Sequence, residues 1–359
     1  MDSAWSGRTG SSSRSAAGNV RPDAGPGWSV VDQGELGREL GHGRARLMAW
    51  VRPMHLEVGD AVGLVSPGGW LSESDIERGN DVLKNMGFVP VVHPNNHRRD
   101  HHFAGSVGER ADAIQDMFLD DQVGALMCTK GGYGTEMLLD HLDFDVMRRR
   151  PKCVVGSSDV TALLLALSTK AELVTFYGPM LLTFNRARDE PTVAHLRRAL
   201  TQTSPWSFGL DSEAQLRVLR PGAGRGVLMG GNLTILTDLI GTEYEPSTDG
   251  SILFFEDIDE ELYRLHRMLL HLQRAGKLRN LRGILVGEMT DITEKKVRIG
   301  RALEELVLDL CKGTDFPIVS GFPCGHGRRL LTVPIGTPAR LTASESGDVD
   351  LALEQAAVG

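Results

Sequence analysis

Residues 151–163 read PKCVVGSSDVTAL, and the prediction of the fold starts from this stretch. A β-branched pair ends at Gly156, which indicates a buried strand followed by a sharp turn. The apolar run over residues 160–167 is long enough to predict a buried helix. Ser158 therefore lies where a strand gives way to a helix, the position that raises a nucleophilic serine above an α/β sheet. The Ser-Ser-Asp run at 157–159 would equally suit a plain helix cap.

Strand and helix patterns alternate on the N-terminal side of this stretch. Short apolar runs predict strands, and segments that open with serine predict helices, in the order strand 61–65, helix 72–86, strand 89–92, helix 107–119 and strand 125–128. This order predicts an α/β fold whose parallel sheet is flanked by helices. In such a sheet the ligand site lies at the carboxyl ends of the strands.

The length of the chain and shifts in its composition predict the domain organisation. A chain of 359 residues suggests about two domains. Residues 1–50 are rich in Ser, Gly, Arg and Asp and predict a flexible extension. We expect an N-terminal domain over 51–205, a linker rich in proline and glycine over 206–225, and a C-terminal domain over 226–359.

Charge and cysteine usage argue against several classes of function. A formal net charge of -8 gives no support for binding to nucleic acid or to an anionic membrane surface. The four cysteines show neither a CxxC pair nor the spacing of zinc ligands, so we expect no metal, no cofactor and no disulfide. Free thiols suit a reducing compartment, and no apolar run is long enough to span a bilayer. We therefore expect a cytoplasmic protein.

A glycine-rich loop, KGGYG at residues 130–134, follows the predicted strand that ends at 128. Closely spaced glycines can expose amides to a phosphate, but the loop lacks the spacing of the known nucleotide-binding motifs. A plain turn is a second interpretation. The interpretation that we favour is an oxyanion hole for chemistry at Ser158, with the Gly131 and Gly132 amides on one side and the Asp159 amide on the other.

Two further strands end in residues that can do acid-base chemistry. Glu256 follows the apolar run 251–255, and His326 lies between glycines in the segment GFPCGHGRR at 321–329. A lone histidine of this kind is often only a surface residue, although its pKa suits proton transfer. The chain order Ser158, Glu256, His326 is one that hydrolases use, with the histidine as base and the acid holding its ring.

From about residue 63 to 343 the chain resembles the LD-carboxypeptidase family of serine peptidases, which includes murein tetrapeptide carboxypeptidases and microcin C immunity peptidases. Ten pieces that match the family occur in order: SPGG (66–69), FAGS (103–106), KGGYG (130–134), GSSDVTAL (156–163), TFYGPML (175–181), GGNL (230–233), ILFFEDIDE (252–260), RMLLHL (267–272), GFPCGH (321–326) and TVPIG (332–336). The resemblance implies a Ser158, Glu256, His326 triad.

The resemblance also implies the architecture and the assembly. The N-terminal parallel-sheet α/β domain would carry the nucleophile elbow, and a smaller, mostly β C-terminal domain would carry Glu256 and His326. The protein would form a homodimer and would act on a small peptide or peptide conjugate. Lys130, Tyr133 and Asn232 are the substrate-binding candidates that the matching pieces supply.

The substrate implied first is an LD-peptide, such as a muropeptide tetrapeptide that loses its terminal D-Ala. Lys130 stands where many family members have arginine, and an ammonium lacks the two-pronged grip of a guanidinium on a carboxylate. One alternative is a peptidyl-nucleotide or related toxic conjugate, for which Trp206 could stack on an adenine. Acyl transfer by the same triad is a second alternative.

Overall fold

The computed structural model describes residues 50–185, 190–210 and 214–359. The predicted extension therefore lies outside the described residues except for residue 50, and so do residues 211–213 of the predicted linker. The strands in these ranges are β1 (Ala61–Val65), β2 (Val89–Val92), β3 (Val123–Cys128), β4 (Cys153–Gly156), β5 (Thr175–Tyr177), β6 (Arg217–Arg220), β7 (Gly222–Asn232), β8 (Ser251–Ile258), β9 (Gly283–Thr290), β10 (Ile318–Ser320), β11 (Val333–Ile335), β12 (Pro338–Ala343) and β13 (Val349–Leu353). The α-helices are α1 (Glu73–Asn85), α2 (Val107–Leu119), α3 (Phe144–Arg149), α4 (Thr161–Lys170), α5 (Glu190–Thr201), α6 (Leu233–Asp238), α7 (Leu262–Arg274) and α8 (Leu303–Leu310).

The first sheet has the strand order β11-β5-β4-β3-β1-β2. Strands β1 to β5 pair in parallel, and β11 pairs antiparallel with β5. Nearly every residue of β1, β3 and β4 is buried, the pattern of parallel strands that are covered on both faces. The α/β fold with a parallel sheet is therefore confirmed.

Helix α4, which follows β4 through a short turn, is buried over Thr161 to Ser168. It packs against β4 and β5 of the first sheet and against β7 and α6 of the C-terminal part of the chain. A helix that is apolar on every face is typical of such an enclosed position. The sequence prediction of a buried helix directly after Ser158 is confirmed.

The second sheet has seven strands in the order β13-β12-β7-β8-β9-β10-β6. Its central strands β7 to β10 are parallel, and helices α6, α7 and α8 connect them in turn. The outer strands β12, β13 and β6 are antiparallel to their neighbours. The register of β7 and β8 places Asn232 beside Glu256 at the carboxyl edge of this sheet.

Strand β11 carries the C-terminal part of the chain back into the first sheet. Its pairing with β5 sets Val333 opposite Tyr177 and Ile335 opposite Thr175. The chain then leaves for the second sheet, where β12 pairs with β7. The segment that holds His326 thus runs between the two sheets and is fixed to both of them.

All of these elements belong to one unit that spans residues 43–359. The longest described helices, α1, α2 and α7, have 13 residues each. Within the described ranges, no helix combines the length and the apolar character that crossing a membrane requires.

Candidate active site

Ser158 lies on a strained turn between β4 and α4. Its φ is +59°, in the left-handed region that residues with a side chain avoid. A Cβ at Gly156 would come within 2.4 Å of a methyl group of Val160, so the strand must end in glycine. The turn continues as a single 3₁₀ turn over Ser158–Val160 before α4 begins. Backbone strain of this kind clusters at active sites, which makes Ser158 a candidate functional residue.

The helix-cap interpretation of this stretch does not hold. Neither the 3₁₀ turn at Ser158–Val160 nor α4 receives a side-chain capping hydrogen bond at its start. The Asp159 carboxylate instead accepts hydrogen bonds from the Gly134 amide at 3.2 Å and the Thr135 amide at 3.0 Å. The acidic residue after Ser158 therefore fastens the neighbouring glycine-rich loop.

Glu256 and His326 are in direct contact. Nδ1 of His326 lies 2.8 Å from Oε2 of Glu256. The carboxylate is fully buried, and its other oxygen accepts hydrogen bonds from Tyr177 Oη at 2.6 Å and Asn232 Nδ2 at 3.1 Å. A buried carboxylate needs this full set of donors to offset its desolvation.

Tyr177 connects the two sides of the site. Its hydroxyl donates to Glu256 and accepts a hydrogen bond from the Ser158 backbone amide at 3.2 Å. Burial, and next the negative charge of Glu256, raise the pKa of this hydroxyl well above its ordinary value. Tyr177 therefore stays protonated as a donor. Sequence analysis missed its role, although a buried aromatic residue with a polar tip at a strand end was a usable signal.

The loop around His326 is held by close backbone packing. The Gly327 amide donates to Glu288 Oε2 at 2.7 Å, and the Glu288 amide donates to the Cys324 carbonyl at 2.8 Å. A Cβ at Gly325 would lie 3.1 Å from Glu256 Oε2, and φ there is +144°. The glycines therefore let the loop pass directly over the acid.

The loop 130–134 lies against the Ser158 turn. The Cβ position of Gly131 is 3.4 Å from the Asp159 amide nitrogen, and Gly132 has a φ of +102°. Burial raises the pKa of the Asp159 carboxyl, although hydrogen bonds from Thr135 oppose the shift. The two loops that the sequence singled out are thus joined through Asp159.

Arg110, a second residue that sequence analysis missed, is buried beneath these loops. Its guanidinium donates to the carbonyls of Pro67 at 2.6 Å, Gly134 at 2.8 Å and Gly105 at 3.2 Å. It also stacks over Phe103, with the guanidinium carbon 4.6 Å from the ring centroid. One buried cation thereby ties together the turns of the SPGG, FAGS and KGGYG pieces.

The three substrate-binding candidates lie in different surroundings. Lys130 is half-buried in a cleft beside the glycine-rich loop, and Tyr133 is 65 % exposed next to Phe103. Asn232 is buried, and its side chain contacts Glu256, Asp257 and the Ile235 amide. Lys130 and Tyr133 thus lie near the surface of one loop, whereas Asn232 adjoins the acid.

Trp206 does not lie where it could stack on a ligand. It is buried, with its ring centroid 4.8 Å from that of His195 and 4.9 Å from that of Phe208. The expectation that it could bind an adenine is therefore wrong, because core aromatic residues cover the indole.

Comparison with known proteins extends these observations. Models of the LD-carboxypeptidase N-terminal domain and C-terminal domain match residues 62–178 and 225–341. A Bacillus subtilis protein described as a probable murein peptide carboxypeptidase is 34% identical over 82% of this chain and 92% of its own length. The microcin C7 self-immunity protein MccF of Escherichia coli is 31% identical over 78% of this chain and 90% of its own.

A solved structure is similar over most of the chain. The muramoyltetrapeptide carboxypeptidase from Oxalobacter formigenes superimposes with a TM-score of 0.72 at 30% identity, covering 82% of this chain and 98% of that one. Matches to both domain models and to relatives along nearly their whole length agree with the two-sheet architecture. The chain therefore belongs to the LD-carboxypeptidase family.

Proposed function

We propose that this protein is a serine carboxypeptidase that hydrolyses the terminal amide bond of an LD-peptide, such as a muropeptide tetrapeptide, and releases D-Ala. The observation that carries the proposal is the buried Glu256–His326 contact at 2.8 Å, linked through Tyr177 to a serine on a strained turn. Nucleophile, base and orienting acid are the parts that acyl transfer to serine requires.

In the proposed first step, Ser158 Oγ attacks the carbonyl carbon of the scissile bond. Nε2 of His326 takes the hydroxyl proton, since Nδ1 is engaged by Glu256. The tetrahedral intermediate collapses as His326 returns that proton to the leaving nitrogen, so D-Ala departs as an amine and an acyl-enzyme remains. Water then attacks the ester in the same manner, and Ser158 is regenerated.

The oxyanion would be held by the amides of Gly131, Gly132 and Asp159. Neighbouring amides are already engaged, because Ser158 N donates to Tyr177 while Gly134 N and Thr135 N donate to Asp159. The Gly131 and Gly132 amides, by contrast, donate no hydrogen bond to any described residue. Donors that are held in place but unused are what a developing oxyanion needs.

For substrate binding we propose Lys130 and Tyr133, which lie on either side of Gly131 and Gly132. We assign Asn232 to the positioning of Glu256, since its amide nitrogen and its carbonyl oxygen both bind groups within the protein. Its proximity to the acid makes it part of the same hydrogen-bonded network.

A second candidate is hydrolysis of a peptidyl-nucleotide or related toxic conjugate, which would make the protein a self-resistance factor. The similarity to MccF over 78% of the chain favours this candidate. The buried position of Trp206 removes the adenine platform that the sequence suggested. Acyl transfer to an amine is a third outcome that the same residues permit.

The test is mass spectrometry of purified wild-type protein and Ser158→Ala, incubated with a muropeptide tetrapeptide, with a peptidyl-nucleotide, or with the tetrapeptide plus an added amine. Loss of D-Ala with the wild type alone supports the proposal. Cleavage of the peptidyl-nucleotide alone overturns the preferred substrate. A product extended by the amine identifies an acyltransferase.

A further inference from the structure

A cleft of about 300 Å³ opens beside the glycine-rich loop. Its lining combines three apolar side chains, Trp70, Leu71 and Leu182, with five polar ones, Ser72, Asp75, His101, His102 and Lys130. Apolar walls with a few convergent polar groups are typical of small-ligand sites. Of the residues that line this cleft, only Lys130 has a proposed role, which is to bind substrate.

The cleft directly borders the groups proposed to hold the oxyanion. Lys130 precedes Gly131, and His102 Nε2 is 3.4 Å from the Cβ position of Gly132. A Cβ built on Gly69, next to Trp70 in the chain, would lie 3.5 Å from the same imidazole. The cleft therefore borders the loop whose Gly131 lies against Asp159, the residue after Ser158.

The charge around the cleft is positive. Lys130 makes no ion pair or hydrogen bond with the described part of the chain, and the Arg99 guanidinium stacks 4.1 Å over the Trp70 ring without a carboxylate partner there. The one carboxylate in the lining, Asp75, is already bound by Arg78 and by Ser72 Oγ at 2.6 Å. A half-buried ammonium without a partner, beside the apolar wall of the cleft, favours an anionic ligand.

The apolar part of the cleft lining indicates what kind of side chain the anionic ligand has. Leu182 and the Trp70 ring supply apolar surface that the methyl group of alanine would leave largely uncovered. The cleft therefore offers apolar contact to a leaving residue with a larger side chain.

We propose that this cleft is the subsite for the leaving D-amino acid: its carboxylate pairs with Lys130, and the apolar wall of Trp70 and Leu182 accepts side chains larger than that of D-Ala as well. This inference rests on the proposed function, because Ser158 defines which part of the substrate leaves. A phosphate attached to the leaving nitrogen shares the anionic chemistry, so the experiment includes it as a separate arm.

The kinetic test compares LD-tetrapeptides ending in D-Ala, in D-Met and in D-methioninamide. Lys130→Met is expected to lower kcat/KM by about 10- to 100-fold for the two carboxylates, mostly through KM, with little effect on the amide. Lys130→Arg should restore most of the loss, and Lys84→Met, which removes a lysine on the surface of α1, should change nothing. Equal losses on carboxylate and amide would overturn the pairing.

The side-chain part of the proposal is tested with Trp70→Ala. The ratio of kcat/KM for the D-Met peptide to that for the D-Ala peptide is expected to fall about 5- to 10-fold from the wild type to the variant. An unchanged ratio would overturn the apolar contact.

A binding measurement separates failure of this inference from failure of the proposed function. Saturation-transfer NMR on Ser158→Ala, which retains the cleft, is expected to detect free D-Met but not D-methioninamide, and Lys130→Met should abolish the signal. This result would support the subsite even if no tetrapeptide were cleaved. Binding of inorganic phosphate without D-Met would assign the cleft to a phosphate-bearing leaving group, and binding of neither would overturn the site.

Discussion

The turn that carries Ser158 and the Glu256–His326 pair, which Tyr177 links to it, are built in different ways. The turn is formed within one strand-turn-helix segment, and its special feature is a φ of +59°. Glu256 and His326 are 70 positions apart and meet only through the second sheet and β11. The turn is therefore defined by local backbone geometry, whereas the acid-histidine pair depends on a buried polar network. Substitutions in the two regions should fail in different ways.

The largest effect is expected from Glu256→Gln. The glutamine keeps the shape of the side chain but replaces one acceptor oxygen with a donor, so Tyr177, Asn232 or His326 loses its partner. We expect kcat for the tetrapeptide to fall about 10⁴-fold and the unfolding free energy to fall by about 1–3 kcal/mol.

Steady-state kinetics and urea denaturation measure the two quantities. Glu243→Gln, at a surface carboxylate that pairs with Lys170, is the matched control and should change neither. A Glu256→Gln enzyme with more than a tenth of wild-type kcat would show that the acid does not orient the base.

Tyr177→Phe tests the connection between the two regions. The substitution removes one donor to Glu256 and the acceptor of the Ser158 amide, while the ring stays in place. We expect kcat to fall about 10-fold with little change in KM. Tyr244→Phe removes a similar hydroxyl-carboxylate hydrogen bond, from Tyr244 to Asp140 at 2.7 Å, and is the control. Equal kinetics for both variants would mean that Tyr177 acts only through stability.

Low pH should destabilise the protein next to β11, the strand that anchors the His326 segment to the first sheet. His195 is buried, its pKa is lowered by burial to about 3, and its Nδ1 accepts the Thr332 amide just before β11. The unfolded chain binds a proton at this residue below about pH 6.5, and the folded chain does not until about pH 3. Stability from His195 is therefore complete above pH 6.5 and is lost as the pH falls, by about 1.4 kcal/mol per unit.

Urea denaturation at pH 7, 6, 5 and 4 measures this slope in the wild type and in His195→Gln. The variant should show the shallower dependence on pH, because glutamine does not titrate. Parallel slopes would exclude His195 as the source of the acid sensitivity.

The smallest expected change is a difference in stability between two variants of Ser158, the residue at the turn. Glycine adopts a φ of +59° without the steric cost that alanine meets, so Ser158→Gly should be about 1 kcal/mol more stable than Ser158→Ala. Both variants should be inactive, which leaves denaturation midpoints as the measurement. A glycine variant no more stable than the alanine variant would show that the turn is not strained.

The difference between the local Ser158 turn and the long-range Glu256–His326 contact explains which features the sequence could predict. The strand, the glycine turn and the buried helix around Ser158 follow from consecutive residues, and the parallel sheet follows from the order of elements. The strand ends and the chain order indicate Ser158, Glu256 and His326, and the family resemblance implies the same triad. The contact between Glu256 and His326 itself depends on packing that no local pattern shows. Tyr177 and Arg110 went unnoticed since their partners lie 79 and 43 positions away. The expectation that Trp206 could stack on a ligand is wrong because His195 and Phe208, which bury its ring, pack against it only in the folded chain.

Strand β11 has a consequence for the order in which the protein is made. The other strands of the first sheet are complete at Tyr177, whereas β11 begins at Val333. At about 5–20 residues per second, a ribosome needs on the order of 10–30 s to synthesise the intervening chain. During that interval β5 is an open sheet edge, the kind that invites pairing with other chains. Ser158 is thus synthesised early, whereas the edge of β5 is covered only after β11, one of the last strands of the chain, has been added.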